Sequence, residues 1–458
     1  MVEVLLINPP ESTNKYRTFL NVLAPPLGIA YIGAVLEENG ISVKIIDAPA
    51  LRMSIDDVLG EIKRESPNLI GITRTTPIMP HVSKLMKRIR EEGIDAPIVC
   101  GGNHPTFCDE DTLRSGADFV VRGEGEITLL ELYRTIENGG ELERVKGISF
   151  LKDGKLVRTE EREKIEDLDS LPFPARHLLP MDRYQALGLP HRFTTMIASR
   201  GCPMGCSFCA SSAFHGRKLR IRSVENVVDE VEHVIDEYGV EFITFMDDTF
   251  TLLRNWVEKF CDEILRRGIE IKWGATARVD RMSLDLLRKM KKSGCVALFI
   301  GVESGDQEIL DRITKNVVLE QTKRAFENMR KAGILSIASV AIGYPGETRE
   351  SIKRTMRFIE EIKPDYFVAS IATPYPGTRF YDEVKEKGLI VSERWEDFTL
   401  FKSTIRCGEL EPEELERLRY EMMKRFYLRP MKILKMLIRD GRKSLSVIKH
   451  LALAKLGS

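Results

Sequence analysis

The sequence predicts an α/β protein in three parts: a doubly wound, Rossmann-like domain, a partial (β/α)6 TIM-like barrel and a helical C-terminal region. Three observations predict it. Val/Ile-rich strand runs alternate with helical periodicity from residue 2 to 138, as a mostly parallel sheet with helices on both faces requires. The alternation stops over 146–192, then resumes from Thr194 as six strand–helix units, which fit the available length better than a closed eight-unit barrel. Beyond about residue 390 the strand signals vanish. A length of 458 residues suits roughly three domains. Lys+Arg and Asp+Glu both total 69, so the chain as a whole lacks a nucleic-acid footprint. No run of ~18 apolar residues appears, MVEVLLINPP lacks a basic n-region and a cleavage site, and eight cysteines are too few and too unevenly spaced for a disulfide scaffold. A cytoplasmic location is expected.

Taken in order, strands fall at 2–8, 42–47, 69–73, 97–102 and 118–123, with helices at 27–39, 54–65, 80–92 and 126–138. Each strand ends at Gly, Asn, Asp or Thr, and ligands on such sheets sit at the carboxyl ends of the strands. This first domain spans 1–145. A hairpin pattern turning at Asp153-Gly154 and the proline-rich DLDSLPFPARHLLP read as a linker over 146–192. The barrel, 193–390, takes strands near 194–200, 240–246, 270–276, 295–302, 336–342 and 366–372, and helices near 223–238, 253–267, 283–293, 319–332 and 348–361. Residues 391–458 form the helical region.

The strongest signal is RGCPMGCSFC, which places Cys202, Cys206 and Cys209 in a C-x3-C-x2-C array directly after the first barrel strand. Three thiolates in eight residues converge on one iron–sulfur cluster, and a four-iron cluster with three protein ligands leaves one iron open. The competing reading is structural zinc with His215 as fourth ligand, but zinc sites favour paired C-x2-C units and no second pair exists.

With Phe208 before the last cysteine, this array resembles that of the radical S-adenosylmethionine enzymes. The resemblance implies a 4Fe–4S cluster, S-adenosylmethionine chelated at the open iron, reductive cleavage to a 5′-deoxyadenosyl radical, and a reduced flavodoxin- or ferredoxin-type donor. Four further segments follow in family order. Asp247 and Asp248 of FMDDTF are expected to orient adenosylmethionine or substrate, or to cap a helix. Arg278 ends the third barrel strand, and Glu303 or Ser304 of GVESG is expected at the ribose or the amine. Gly343 of IGYPGET is expected beside the adenine, or simply in a turn.

The first domain resembles the cobalamin-binding domain of such enzymes. The resemblance rests on Asn8-Pro9-Pro10, on Gly28 in PPLG, on Gly101, Gly102, His104 and Thr106 of GGNHPT, and on Gly123, Glu124, Gly125 and Glu126 of RGEGE. Thr73 ends the third strand. The resemblance implies a cobalamin ring against the glycine-rich strand ends; no G-x-G-x-x-G opens the first helix. The usual D-x-H-x-x-G cobalt-ligand motif is absent, since the second strand ends Asp47-Ala48-Pro49. His104 is then expected to pack or to touch the corrin edge, leaving weak axial ligation. The remaining cysteines (100, 108, 261, 295 and 407) read as small buried hydrophobes.

Lys424, Arg425, Arg429, Lys432, Lys435, Arg439, Arg442, Lys443, Lys449 and Lys455 alternate with apolar residues at helical spacing. This basic amphipathic tail is expected either to pack on the barrel or, by a slight lean, to contact an anionic membrane, with the acidic run 409–416 as an alternative partner. The whole reading is a cobalamin-dependent radical methyltransferase acting on an unactivated carbon of a lipid, peptide or small natural product. The alternatives are a non-methylating enzyme with the same cofactors (ring formation or oxygenation) and a non-catalytic sensor.

Overall fold

A computed structural model of the chain describes residues 2–10, 22–186 and 192–434. The strands of the N-terminal domain are β1 (Val4–Asn8), β2 (Val43–Asp47), β3 (Leu69–Thr73), β4 (Ile98–Gly101), β5 (Phe119–Val121), β6 (Ile148–Lys152) and β7 (Lys155–Arg158). They form a seven-stranded sheet in the order β2-β1-β3-β4-β5-β6-β7, of which the first five are parallel. Strand alternation splits the core: Val4 and Leu6 pack under α1 (Leu27–Glu38) and α4 (Glu126–Glu137), whereas Leu5 and Ile7 pack under α2 (Ile55–Glu65) and α3 (Met79–Glu91).

The hairpin expected in the linker instead completes this sheet, β6 pairing antiparallel with β5. The expected boundary at residue 145 therefore falls inside the domain. The reason is a buried polar contact that the pattern does not show. Asp109 accepts from Ser149 Oγ at 2.7 Å and from Arg158 Nε at 2.7 Å, fixing the hairpin to the sheet.

The second sheet is built from β8 (Phe193–Met196), β11 (Phe242–Phe245), β12 (Lys272–Ala277), β13 (Cys295–Glu303), β14 (Leu335–Ile342) and β15 (Tyr366–Ile371); two short strands, β9 (Ser199–Arg200) and β10 (Arg220–Ile221), form an antiparallel ribbon beside it. The sheet is open, six-stranded and parallel, in the order β15-β14-β13-β12-β11-β8. Helices α5 (Val224–Tyr238), α6 (Arg254–Arg266), α7 (Leu284–Lys292), α8 (Leu319–Ala332) and α9 (Arg349–Ile362) pack on it, burying Phe245, Trp273, Leu298, Val340 and Phe367 among others. The expected partial barrel is thus present. The outer edge strand β15 is covered by α10 (Pro412–Tyr427), whose Tyr427 hydroxyl donates to Phe367 O at 2.8 Å.

The described start of the basic tail packs on the barrel. Arg425 pairs with Glu360 at 2.5 Å, Arg429 pairs with the same carboxylate, and Lys432 Nζ donates to Pro364 O and Asp365 O. That corrects the membrane-seeking lean for these residues; Lys435 and the basic residues after it lie outside the described residues. Within the acidic run, Glu414 pairs with Arg349 and not with a described residue of the tail. No helix among the described residues is long and apolar enough to cross a membrane.

The linker threads between the domains through a buried pair. Arg176, fully buried, lies 2.6 Å from Glu230 Oε1 of α5 and donates to Thr195 O of β8, while Arg222 takes the other Glu230 oxygen. Removing one partner strands the other charge in the core. Glu230→Ala is therefore expected to cost about 3–5 kcal/mol, read as a lower urea midpoint at unchanged slope; a shift below about 1 kcal/mol would show that the network does not hold the linker.

Candidate active site between the two domains

Cys202, Cys206 and Cys209 lie on the loop after β9, with Cys202 buried and the other two half-buried. The loop is pinned from every side. Cys202 N donates to Gly216 O at 3.2 Å, Ser207 N to Ile313 O at 3.0 Å, and Phe380 N to Ser207 O at 3.0 Å. Gly201 is required at φ +92°, where a Cβ would sit 2.2 Å from Lys218 O. All three thiols are free of disulfides. Burial pushes the Cys206 thiol up, opposed by the charges of Lys315 and Arg278. Among the described residues no three His, Cys, Asp or Glu side chains lie close enough to hold a single metal ion. Three thiolates on one loop with no second C-x2-C pair suit an iron–sulfur cluster better than structural zinc, which favours four N/S ligands. His215 is turned away from a ligand role toward Glu124, 3.7 Å from its Oε1.

Around this loop stand the ends of the barrel strands. Asp247 and Asp248 cap no helix; they hold the approach to the cysteines. Asp247 accepts from Ala198 N and Ser199 Oγ, and Asp248 from Gly201 N at 3.1 Å. Burial pushes the Asp247 carboxyl up to about 6. Glu303 sits at φ +62°, just past a register shift in β13, and accepts from Lys315 Nζ at 2.8 Å. A Cβ at Gly301 would lie 2.3 Å from that carboxylate, which is why glycine opens the GVESG turn. Arg278 donates to Lys315 O at 3.0 Å and to Asp280. The Lys315 ammonium in turn lies 6.0 Å from the centre of the Phe208 ring, which packs on Tyr344. Ser304 braces the turn instead, its hydroxyl meeting Thr355 and the Asp306 amide. Gly343 likewise gives its N–H to Glu347, whose buried second oxygen has no hydrogen-bond partner.

The N-terminal strand ends enclose a cavity of about 290 Å³. Its walls include Gly28, Thr73, Gly101, Gly102, Gly123, Glu124, Gly125 and Glu126 from the expected set, with Gly71 and the apolar side chains of Leu6, Ile29, Ile32, Val99, Val121 and Leu129. The far wall is Ile197, Arg200, Phe214 and His215 of the barrel domain. Exposed Gly28 has no protein atom within 4 Å of where a Cβ would stand. Neighbouring protein therefore does not demand glycine there, and a larger side chain would project into open space. Glycine-floored, largely apolar and walled by a second domain, the cavity fits a broad flat ring.

Other expected residues are placed elsewhere. His104 is buried, meeting Thr76 Oγ1 at 3.3 Å and the Trp395 ring edge-on at 4.9 Å, and does not line the cavity. Thr106 supports the wall from behind, accepting from Gly123 N at 3.0 Å. Asn8 donates to Asp47, and Pro9 and Pro10 lie outside the cavity wall. Glu124 and Glu126 reach the wall with their carboxylates already taken by Arg220 and Arg200. The residues that composition and motif did not flag are Tyr31 of α1 and the barrel-side Arg200, Phe214 and Lys315. Arg200 had a visible signal, two residues before the first cysteine and opposite in charge to RGEGE.

Residues 196–359 match the Radical SAM superfamily and residues 20–133 the B12 binding domain. An uncharacterized methyltransferase of Pyrococcus horikoshii is 36% identical over 445 residues, covering 96% of this chain and 95% of that protein. An anaerobic magnesium-protoporphyrin IX monomethyl ester cyclase of Rubrivivax gelatinosus is 31% identical, covering 79% of this chain and 67% of its own. The chain belongs to the cobalamin-binding radical S-adenosylmethionine enzymes. Its fold is shared by the cobalamin-dependent radical enzyme OxsB with aqua-cobalamin and S-adenosylmethionine bound, at a TM-score of 0.76 and 17% identity, covering 98% of this chain and 72% of that one. A 4Fe–4S cluster, adenosylmethionine and cobalamin are the cofactors of this family.

Two outcomes follow from this site. Gly28→Leu is expected to leave the urea midpoint within about 0.5 kcal/mol of the parent and to weaken cobalamin binding at least about tenfold (~1.4 kcal/mol), measured by absorbance titration; undiminished binding would place the ring elsewhere. Glu347, fully buried, has its carboxyl pushed up by burial from 4.5 to about 7. The native state therefore holds the proton more tightly than the unfolded chain, and its contribution to stability is lost as pH rises from about 4.5 to about 7. Glu347→Gln should flatten that part of the stability–pH profile; an unchanged slope refutes the assignment.

Proposed function

We propose that the protein is a methyltransferase that places a methyl group on an unactivated carbon. The observation that carries this reading is that one wall of the cofactor cavity is made by Ile197 and Arg200, on the segment that leads into Cys202. The two cofactor sites therefore face one another across the domain seam. When bound, the cluster with adenosylmethionine supplies a hydrogen-abstracting radical and cobalamin supplies the methyl group. The chain's own residues do the rest. Cys202, Cys206 and Cys209 hold the cluster. The oppositely charged Glu303–Lys315 pair, with Arg278 beside it, suits the amino and carboxylate ends of the methionine moiety. Asp247 and Asp248 keep the loop in register, and the apolar side of the cavity excludes water.

The Pyrococcus relative bears a methyltransferase name, which favours methyl transfer; the cyclase relative favours ring formation as the second reading. A lipid, peptide or small natural product as substrate, and a flavodoxin- or ferredoxin-type donor, belong to this proposal. The deciding experiment is anaerobic reconstitution with iron, sulfide and cobalamin, then turnover of adenosylmethionine under reduction with cell-extract fractions. Methylation predicts S-adenosylhomocysteine together with 5′-deoxyadenosine and a product one methyl heavier. Formation of 5′-deoxyadenosine alone points to the cyclase-like outcome, and absence of both sinks the enzymatic reading. Replacing the three cysteines by alanine is expected to abolish the brown colour and 5′-deoxyadenosine formation.

A further inference from the structure

Arg200 is anchored twice. Its backbone belongs to the cysteine loop: it pairs antiparallel with Arg220 in the β9–β10 ribbon, and the next two residues bond to Asp248 and Gly216. Its side chain belongs to the other domain. The guanidinium donates to Glu126 Oε1 at 2.6 Å, lies 3.4 Å from Glu124 Oε1 and sits over the Tyr31 ring at 5.4 Å. Those three partners all line the cofactor cavity. Arg200 and both carboxylates are 7% and 5% exposed, so the bridge is shielded from solvent. Arg220, the ribbon partner, repeats the theme with a two-pronged contact to Glu124 at 2.7 and 2.9 Å. Burial alone would raise the Glu124 carboxyl; the nearby His215 ring, hydrogen bonds from Arg220 and the charge of Arg200 outweigh it and hold the group well below the usual range.

We infer that Arg200 is a positioning residue that couples the two cofactor sites, so that ordering the cysteine loop around its cluster orders the Glu124–Glu126 wall of the cobalamin cavity. The inference rests on the cofactor assignment above. The side chain that bridges them is planar and forked, and two carboxylates with a ring face satisfy it from the cavity side. A buried charge this close to its partners moves with them or is left unpaired. Coupling between sites is reciprocal, so it is measurable as a change in the affinity for one cofactor when the other is present.

The test is the cobalamin affinity of the full chain, with and without its reconstituted cluster, for the parent, Arg200→Gln and Glu126→Gln. The parent is expected to bind cobalamin at least about fivefold more tightly when the cluster is present. In both variants that ratio should fall to near one while bound iron and cobalamin at saturation stay at parental levels. A merely structural pair would lower stability and leave the ratio intact. Glu126→Gln leaves the cysteine loop's sequence untouched and so carries the test if Arg200→Gln assembles no cluster. A parental ratio near one, or variants that keep the parental ratio, would overturn the inference with the cofactor assignment standing. Failure of the parent to load either cofactor would overturn both.

Discussion

The architecture depends on charges buried at the seam between its two sheets. Glu124 and Glu126 at the start of α4 meet Arg200 and Arg220 of the cysteine-bearing ribbon, and behind them Glu230 meets Arg176 of the linker and Arg222. Buried ion pairs contribute little net stability, because desolvation offsets most of the attraction. What they do impose is geometry. A flat apolar seam tolerates sliding by a fraction of a side chain, whereas a carboxylate held by two guanidinium groups does not. The seam of this protein has the second kind of joint.

Much of the fold was legible because it rests on periodicity. The β1 to β5 strands and the six barrel strands each bury alternating aliphatic side chains against amphipathic helices, and that pattern is written locally. The hairpin β6–β7 was legible as a hairpin but not as part of the first sheet, because its docking rests on Asp109 reaching Ser149 and Arg158, 40 and 49 residues away. The same limit governs the site. The cysteine triad needs only local spacing, and the glycine-rich strand ends need only local turns. His104 is expected either to pack or to touch the corrin edge, and packing holds: the one-turn helix Asn103–Phe107 carries it toward Trp395, far along the chain in another domain. Arg200 went unread for the complementary reason: both of its acidic partners lie in another domain.

Glycine had two meanings that the sequence alone does not separate. At 201 and 301 it makes room for protein: a carbonyl in one case and the Glu303–Lys315 pair in the other. At Gly28, on the cavity wall, no protein atom stands where a side chain would begin. Sorting glycines this way separates the motif residues that build the loop from those that floor a cavity. Ser304 and Gly343, both motif residues, fall with the builders, since their polar atoms are committed to Thr355, Asp306 and Glu347.

The charges around both cofactor sites are largely spent on one another. Lys315 holds Glu303, Arg200 and Arg220 hold Glu124 and Glu126, and Asp247 is filled by Ala198 and Ser199. Beside those paired charges the cavity is lined by glycine backbone, by apolar side chains such as Ile29, Ile32, Ile197, Phe214 and Leu129, and by Thr73, Asn103 and His215. Pairing those charges with one another lowers the polarity of the wall they share with the hydrocarbon. The arrangement that fixes the two domains in register is therefore also the one that walls their shared cavity.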